Sequence, residues 1–256
     1  MITHNYLYYI TDLQKTQVFC KIEVMKILKW RRIGVALVAL SATILWLVFN
    51  PASYDKLFTP ETPAVASSSD LAIDVLEKLE VKGRAPKTGY SREEFYNGWP
   101  TVDGCSLRQR IIKREFGESA VLNGCDVIKG EFEEPYTGKY LKFESKQEIS
   151  KGIQIDHVVA LSDAWQKGAQ YMDKEVRYRI ATDPLNLLAV DGKANQGKSD
   201  GDAATWLPSN KKFRCQYVAR QVSVKYKYKL WVTEAEKTAI FDILTTCPEE
   251  RAIIET

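Results

Sequence analysis

The chain has 256 residues, of which 45% are hydrophobic and 27% are charged. This is enough apolar content to bury one good core, and we expect one domain with an N-terminal appendage. The formal net charge of +3 is only mildly basic, so overall charge identifies no partner. Histidine occurs only as His4 and His157, and no cysteines form a C-x-x-C pattern, which excludes zinc sites built from closely spaced His and Cys ligands.

The N-terminal segment has the layout of an export signal. Basic residues 26–32 precede an uncharged apolar run, residues 33–49, which is long for a cleaved signal and slightly short for a bilayer span. Because Met25 makes a natural start, we expect residues 1–24 to be an upstream extension and residues 25–50 to be a signal peptide or a membrane anchor. We therefore expect a secreted or extracytoplasmic protein, in contact with a membrane only through residues 33–49 if they are not cleaved.

Residues 51–69 are rich in Pro, Ser, Thr and Ala and predict a flexible linker to a domain at 70–248, with a tail at 249–256. A first amphipathic helix is expected after Asp70, which caps it, and ends near Gly83. Further helical patterns cover residues 162–181, 200–206 and 209–229. Thr233 and Glu236 predict a capping box for a last helix. Together with the strands described next, these elements predict an α+β fold.

Four cysteines follow Met25, and an even number in an exported protein predicts two disulfides. Of the three possible connectivities, nearest-neighbour pairing is the most economical: Cys105 with Cys125 and Cys215 with Cys247.

Chemistry-bearing side chains cluster around two apolar strands, residues 153–159 and 187–190. Asp156 offers a hard oxygen ligand for a Mg²⁺-type ion, and the neutral imidazole of His157 can take a proton from water near pH 7. Adjacent side chains of a strand point to opposite faces, so both residues can serve only if the strand ends or bends there. Asn186 suits pinning of the backbone or the imidazole. Asn195, expected at the start of the next helix, is either a second metal ligand or a helix cap.

Longer stretches around these residues resemble a known family. They are residues 156–165 (DHVVALSDAW), 183–191 (DPLNLLAVD), 202–208 (DAATWLP) and 217–221 (YVARQ). They look like the exported HNH endonuclease family proteins, which are related to the C-terminal nuclease domain of GmrSD-type restriction enzymes. The resemblance covers roughly residues 70–248.

The resemblance implies a ββα-metal core, also called an HNH or His-Me finger, with surrounding helices. It assigns catalysis to His157, the general base, and to Asn186, which orients the loop and the base. It assigns one divalent metal, Mg²⁺ in the first place or Mn²⁺, to Asp156 and Asn195. Where the family pattern after Cys105 has an acid, Thr and Arg, this chain has Ser106-Leu107-Arg108, which leaves Arg108 as a phosphate contact.

A run of basic residues interleaved with tyrosines after residue 210 predicts a surface that follows a phosphate backbone. The predicted nucleic-acid contacts are Arg108, Lys198, Lys211, Lys212, Arg214, Arg220 and Lys225. The alternative interpretation of this run is a solvated helix face that covers the core.

We therefore expect a monomeric, metal-dependent endonuclease that cleaves DNA, or RNA as a second substrate, with little sequence preference. The alternative is a non-catalytic exported protein that binds nucleic acid or another polyanion. Residues 197–201 also satisfy G-x-S-x-G, the nucleophile elbow of serine hydrolases. That fold needs a strand before Ser199 and a histidine after it, and no histidine follows His157, so we interpret this match as accidental.

Overall fold

A computed structural model of the protein describes residues 70–254. The predicted upstream extension, signal or anchor, and linker all lie outside these residues. Between residues 70 and 254, no helix is both long enough and apolar enough to span a membrane.

Helices and short strands alternate along the described chain, which confirms the predicted α+β class. The α-helices are α1 (Ala72–Glu77), α2 (Leu107–Phe116), α3 (Lys146–Gly152), α4 (Leu161–Gln166), α5 (Lys174–Thr182), α6 (Gly192–Lys198), α7 (Arg214–Lys227) and α8 (Glu234–Leu244). The strands are β1 (Thr101–Val102), β2 (Cys105–Ser106), β3 (Val121–Asn123), β4 (Asp126–Glu133), β5 (Tyr140–Phe143), β6 (Ile153–His157) and β7 (Leu187–Asp191). Single 3₁₀ turns occupy Arg92–Glu94, Gly117–Ser119, Ala169–Tyr171, Pro184–Asn186 and Lys211–Phe213.

The strands form three small antiparallel sheets within residues 70–254: β1–β2, β3–β4–β5 and β6–β7. In the last of these, Ile153 pairs with Asp191 and His157 pairs with Leu187, so the two strands overlap over their full length. The helix α6 follows β7 directly and contacts both strands. Two strands and a helix thus pack together here, with α4 and α5 lying between the two strands along the chain.

Strand β7 is apolar on both faces because it lies between two hydrophobic clusters. Leu187 and Ala189 pack with α2 and the β4–β5 hairpin, whereas Leu188 and Val190 pack with α1, α7 and α8. This follows from the alternation of side chains along a strand, and it explains why β7 is an uninterrupted apolar run.

Three of the predicted helices differ from the structure. The first ends at Glu77 and not near Gly83. The pattern over 162–181 is interrupted after Gln166, where Gly168 adopts φ +125° and its Cα faces the ring of Trp231, so the chain turns between α4 and α5. No helix forms at 200–206; instead α6 starts earlier, because the Asp191 side chain accepts a hydrogen bond of 2.7 Å from the Ala194 amide and caps it.

The ends of the domain are joined to each other. The backbone at Leu71 pairs with that at Arg251, and the Ala252 amide donates to the Asp70 carbonyl at 3.0 Å. Leu71 rather than Asp70 occupies the N-cap of α1, and the Asp70 carboxylate accepts from Lys78. The folded chain therefore continues past the predicted end at residue 248.

Six charged side chains from distant segments form an ion cluster beside α7, which we call the buried ion cluster because five of the six are buried and only the Arg84 side chain is partly exposed. Its members are Arg84, Asp163, Lys167, Asp202, Lys225 and Glu236. The Lys167 ammonium lies 2.7 Å from Asp163, 2.8 Å from Asp202 and 2.6 Å from Glu236. Thr233 caps α8 as predicted, accepting from the Glu236 amide, but the Glu236 carboxylate pairs with the two lysines and does not close a capping box.

Both predicted disulfides are present, Cys105–Cys125 and Cys215–Cys247. The first joins the segment before α2 to the turn between β3 and β4, and the second joins the start of α7 to the end of α8.

Candidate active site

An open cleft of about 670 Å³ lies along β6 and the first turns of its neighbours. Side chains that carry chemistry line it: Arg92, Trp99, Arg108, Asp156, His157 and Asn195. Four of the predicted site residues, Arg108, Asp156, His157 and Asn195, are thus brought together. Asp156 and His157 both line the cleft because β6 ends at His157. Adjacent residues of a strand can share a site only where the strand ends or bends, and here it ends.

His157 is held in one orientation by backbone and ring contacts. Its Nε2 lies 2.9 Å from the Ala181 carbonyl oxygen, and its ring stacks on Trp99 with centroids 5.9 Å apart and planes at 11°. A carbonyl oxygen only accepts, so Nε2 carries the proton and a neutral ring has its lone pair on Nδ1. Burial lowers the pKa of His157 to about 3, so the ring is neutral at ordinary pH and Nδ1 is free to take a proton.

Asp156 is buried, and two side chains from other segments fix its carboxylate. Lys198 donates to Oδ1 at 2.9 Å and Tyr136 donates to Oδ2. Burial raises the pKa of Asp156, whereas the charge of Lys198 and the hydrogen bond from Tyr136 act against this rise. Lys198 also donates to the His157 carbonyl at 2.8 Å, so one ammonium group holds both residues at the end of β6.

Asn195 lies in the middle of α6 and not at its start, where it was predicted. The cap of that helix is Asp191, so the capping interpretation of Asn195 is wrong. The Asn195 amide nitrogen donates to Gln154 Oε1 at 2.9 Å, which leaves its carbonyl oxygen as the atom suited to a metal ion.

Asn186 is fully buried and connects the two segments behind the histidine. Its Oδ1 accepts from the Val159 amide at 2.8 Å, and its Nδ2 donates to the carbonyl oxygens of Ile180 at 3.0 Å and Val159 at 3.3 Å. Ile180 immediately precedes Ala181, the acceptor for His157. Asn186 therefore positions the imidazole through the backbone and does not touch it.

The prediction that Lys198 and the basic run after residue 210 form the nucleic-acid surface is wrong at Lys198 and Lys225. Lys225 is completely buried in the ion cluster and Lys198 is buried against Asp156, so neither ammonium is free for phosphate. Tyr217 is also buried, because α7 is a core helix and not a solvated one. Arg214 and Arg220 donate to the carbonyls of Pro208 and Leu187, and of the predicted set after residue 210 none lines the cleft.

Several residues of the site were missed in the sequence. Tyr136 comes from the β4–β5 turn, which Glu134 holds by accepting from the amides of Tyr136 and Thr137 at 2.9 and 2.7 Å. Arg92 and Trp99 come from the segment before α2, where no periodic pattern marks them. The one sequence feature near Arg92 that could have pointed to the site is a basic loop at residues 82–90. Its Lys87 forms an ion pair with Asp200 at 2.9 Å.

Ser199, of the G-x-S-x-G match, also lines the cleft, but its surroundings do not fit a hydrolase nucleophile. It follows the helix α6 rather than a strand, and it adopts φ +52° and ψ −124° in a tight turn closed by the Gly201 amide and the Lys198 carbonyl at 2.9 Å. These are the angles of a type II′ turn, a position that favours glycine.

The oxygen donors at the cleft fit a hard divalent cation. Asp156 and Asn195 supply a carboxylate and an amide oxygen, and Mg²⁺ commonly takes one or two carboxylates together with substrate phosphate and water. The Asp156 carboxylate accepts from Tyr136, Lys198 and the His157 amide, and of its roughly four acceptor positions one remains for a metal ion. Among residues 70–254 no group of three or more His, Cys, Asp or Glu side chains forms a complete metal cage. Asp156 and Asn195 therefore suit an ion whose remaining ligands come from substrate phosphate and water.

Comparison with known proteins identifies a family. The family described as "GmrSD restriction endonucleases, C-terminal domain" matches residues 107–243, more than half of the 256-residue chain. A protein of Arthroderma benhamiae named "Uncharacterized secreted protein" is 34% identical over 189 residues, which are 73% of this chain and 89% of that protein. No solved structure matches the chain.

The fold and cleft define an α+β protein whose polar site is built on a strand pair and the helix that follows it. The chain belongs to the family of GmrSD restriction endonuclease C-terminal domains. The matched residues begin at α2 and end in α8, so they include Arg108 and all the predicted catalytic and metal-binding residues. Membership of an endonuclease family implies a nucleic-acid substrate.

Proposed function

We propose that the protein is a secreted, HNH-type endonuclease that uses one divalent metal ion, Mg²⁺ or in its place Mn²⁺, to hydrolyse phosphodiester bonds of DNA. RNA is the second substrate to be tested. The observation that carries the proposal is the orientation of His157: Nε2 is committed to the Ala181 carbonyl, and Nδ1 remains for a water molecule in a cleft shared with Asp156 and Asn195.

In this mechanism His157 Nδ1 takes a proton from the water that attacks phosphorus. A phosphate anion beside the ring would stabilise the imidazolium and raise its pKa, so substrate binding makes Nδ1 a stronger base. Asn186 keeps the Ile180–Ala181 backbone in place, and Trp99 keeps the ring from tilting. A divalent cation held by Asp156 and Asn195 would neutralise the charge that develops on the phosphate oxygens and the leaving oxygen.

Secretion is supported by the two disulfides and by the name of the Arthroderma benhamiae relative. Low sequence preference is supported by the arginines of the cleft, because phosphate contacts position a nucleic acid without reading its sequence.

The proposal is tested by incubating purified protein with plasmid DNA and with RNA, in Mg²⁺ or Mn²⁺, with and without a chelator. We expect cleavage that the chelator abolishes. Replacing His157 by alanine removes the proton acceptor, and general-base catalysis is worth roughly 10²- to 10⁴-fold, so kcat falls by about that factor. The thermal midpoint of each variant is measured in parallel to separate loss of chemistry from loss of fold.

Three results contradict the proposal in different ways. Cleavage at an unchanged rate in His157→Ala refutes the mechanism. Binding without cleavage under every metal condition identifies the protein instead as a non-catalytic nucleic-acid binder. Cleavage that persists in the chelator refutes the metal requirement alone.

A further inference from the structure

Two arginines in the cleft have no acidic partner. Within residues 70–254, neither Arg92 nor Arg108 forms an ion pair with a carboxylate. Arg92 donates instead to the Tyr96 hydroxyl, from Nη2 at 2.9 Å and from Nε at 3.2 Å, and its guanidinium lies over the Tyr96 ring at 5.4 Å. Arg108 donates from Nη2 to the Ile153 carbonyl at 2.9 Å. Each guanidinium has five N–H donors, so most of its donors stay available.

The other charges of the cleft cancel. Asp156 pairs with Lys198 at 2.9 Å, and Asp200 pairs with Lys87 at 2.9 Å. The two arginines are therefore the uncompensated charges on the cleft wall. Partial burial lowers the pKa of Arg108, because the charged guanidinium is less well solvated there, at a cost in free energy. An anion in the cleft would remove this cost.

The two guanidinium groups lie at opposite ends of β6. Arg108 contacts the carbonyl of Ile153, the first residue of the strand. Arg92 is held by Tyr96, whose ring centroid lies 5.8 Å from that of His157, the last residue. A strand rises about 3.3 Å per residue, so its ends are roughly 13 Å apart. Nucleotides repeat about every 3.4 Å along a duplex axis, so this span exceeds a single phosphate.

We propose that Arg92 binds the phosphate that His157 attacks and that Arg108 binds a different phosphate further along the same strand. This assignment rests on the proposed endonuclease function and deepens it, because it specifies a substrate with several consecutive phosphates. Arg92 acts as a direct ligand of the reacting group, and Arg108 anchors the strand away from the reaction.

The experiment compares substrates that differ in the number of phosphates. Wild type, Arg92→Gln and Arg108→Gln are assayed on a labelled 12-nucleotide DNA and on bis(4-nitrophenyl) phosphate, which has one phosphodiester. Binding of the 12-nucleotide DNA is measured by fluorescence anisotropy in chelator over a range of salt concentrations, so that binding is observed without chemistry. Arg110→Gln is the matched control, because Arg110 lies on the same helix as Arg108 but is exposed and paired with Asp103 at 2.7 Å.

Losing one charge-assisted contact costs roughly tenfold to a hundredfold in affinity. Both cleft variants are expected to lose that much affinity for the 12-nucleotide DNA and to lower the salt slope by about 1. On bis(4-nitrophenyl) phosphate, Arg92→Gln reduces kcat/KM by a larger factor than Arg108→Gln does, and Arg110→Gln leaves it unchanged. Tyr96→Phe removes the hydroxyl that holds Arg92 but keeps the charge, so its salt slope stays at the wild-type value.

Unchanged DNA affinity and salt slope in Arg92→Gln overturn the proposal while leaving the endonuclease function intact. Equal losses for Arg108→Gln on both substrates overturn the assignment of separate phosphates. If Tyr96→Phe lowers kcat/KM on bis(4-nitrophenyl) phosphate as much as Arg92→Gln does, while its salt slope stays at the wild-type value, Arg92 has only a structural role. Absence of any DNA binding by the wild type refutes the proposed function itself.

Discussion

The buried ion cluster and the cleft along β6 both collect charged side chains, but they differ in exposure and in charge balance. The cluster combines three cations with three acids, and its two lysines are completely buried. The cleft is open, and Arg92 and Arg108 have no acidic partners among the described residues. The paired, enclosed charges of the cluster hold distant segments of the chain together. The arginines of the open cleft have no acidic partner and are available to bind a ligand.

Each region also has its own disulfide. Cys105–Cys125 lies directly before α2, the helix that carries Arg108 to the cleft. Cys215–Cys247 joins α7 to the end of α8, the helices that carry Lys225 and Glu236 into the ion cluster. The two regions are thus tethered separately, and variants can test them separately.

The largest expected effect on stability comes from breaking the cluster at its centre. Lys167→Ala leaves Asp163, Asp202 and Glu236 short of one cation, and removing one partner of a buried ion pair typically costs about 3–5 kcal/mol. Urea denaturation should show this loss in the free energy of unfolding. Lys142→Ala, which removes an exposed pair with Glu144, is the control and should show no measurable change. A loss no greater than that of the control would refute the structural role of the cluster.

A somewhat smaller effect is expected from the disulfides. Replacing Cys215 and Cys247 by serine releases a loop with a sequence separation of 32 and should lower the free energy of unfolding by about 3–4 kcal/mol, with little change in kcat/KM of the folded protein. Replacing Cys105 and Cys125 should also reduce kcat/KM on DNA, because α2 then positions Arg108 less firmly. Equal effects of the two replacements on activity would show that the regions are not independent.

The smallest effect is a pH dependence of the cluster. Burial opposes ionisation of Asp202, but Lys167 and Arg84 outweigh it and lower the pKa of Asp202 from 3.8 to about 2. A carboxylate with a lowered pKa in the folded state stabilises fully above its unfolded pKa, and this contribution is lost as the pH falls. The stability difference between wild type and Asp202→Asn should therefore be constant above pH 5 and shrink between about pH 4 and pH 2.

Denaturation curves of both proteins across this pH range test the prediction, with the exposed Asp242→Asn as the control. A difference that stays constant down to pH 2 would mean that Asp202 does not depend on its cationic partners.

Local signals in the sequence were sufficient for much of the site. The apolar runs around Asp156 and Asn186 gave both strands of the central pair, although β6 ends at His157 and not at residue 159, and this end lets Asp156 and His157 share a cleft. Asn186 was correctly expected to pin the backbone, and neighbouring cysteines gave the disulfide pairing. For the two strands, the information lies within a few residues of the feature itself.

The failures involve residues whose environment comes from far along the chain. Lys225 has the sequence context of a solvated helix, yet it is buried because Asp163 and Glu236 arrive from other helices. Lys198 is buried for the same reason, since Asp156 lies on the strand beneath it. Arg92 could not be identified because its importance comes from lacking such a partner, and a single sequence does not show which charges remain unpaired.

The backbone contacts behind His157 carry an implication for how the family tolerates change. His157 is fixed by the Ala181 carbonyl, and Asn186 by the main-chain groups of Val159 and Ile180, so none of these acceptors depends on a particular side-chain identity. These backbone contacts require that the spacing of the residues along the chain is kept. Substitutions of similar volume at 159, 180 and 181 should survive, whereas a single inserted or deleted residue between 180 and 186 would shift the carbonyls out of register and disorganise the imidazole at a distance.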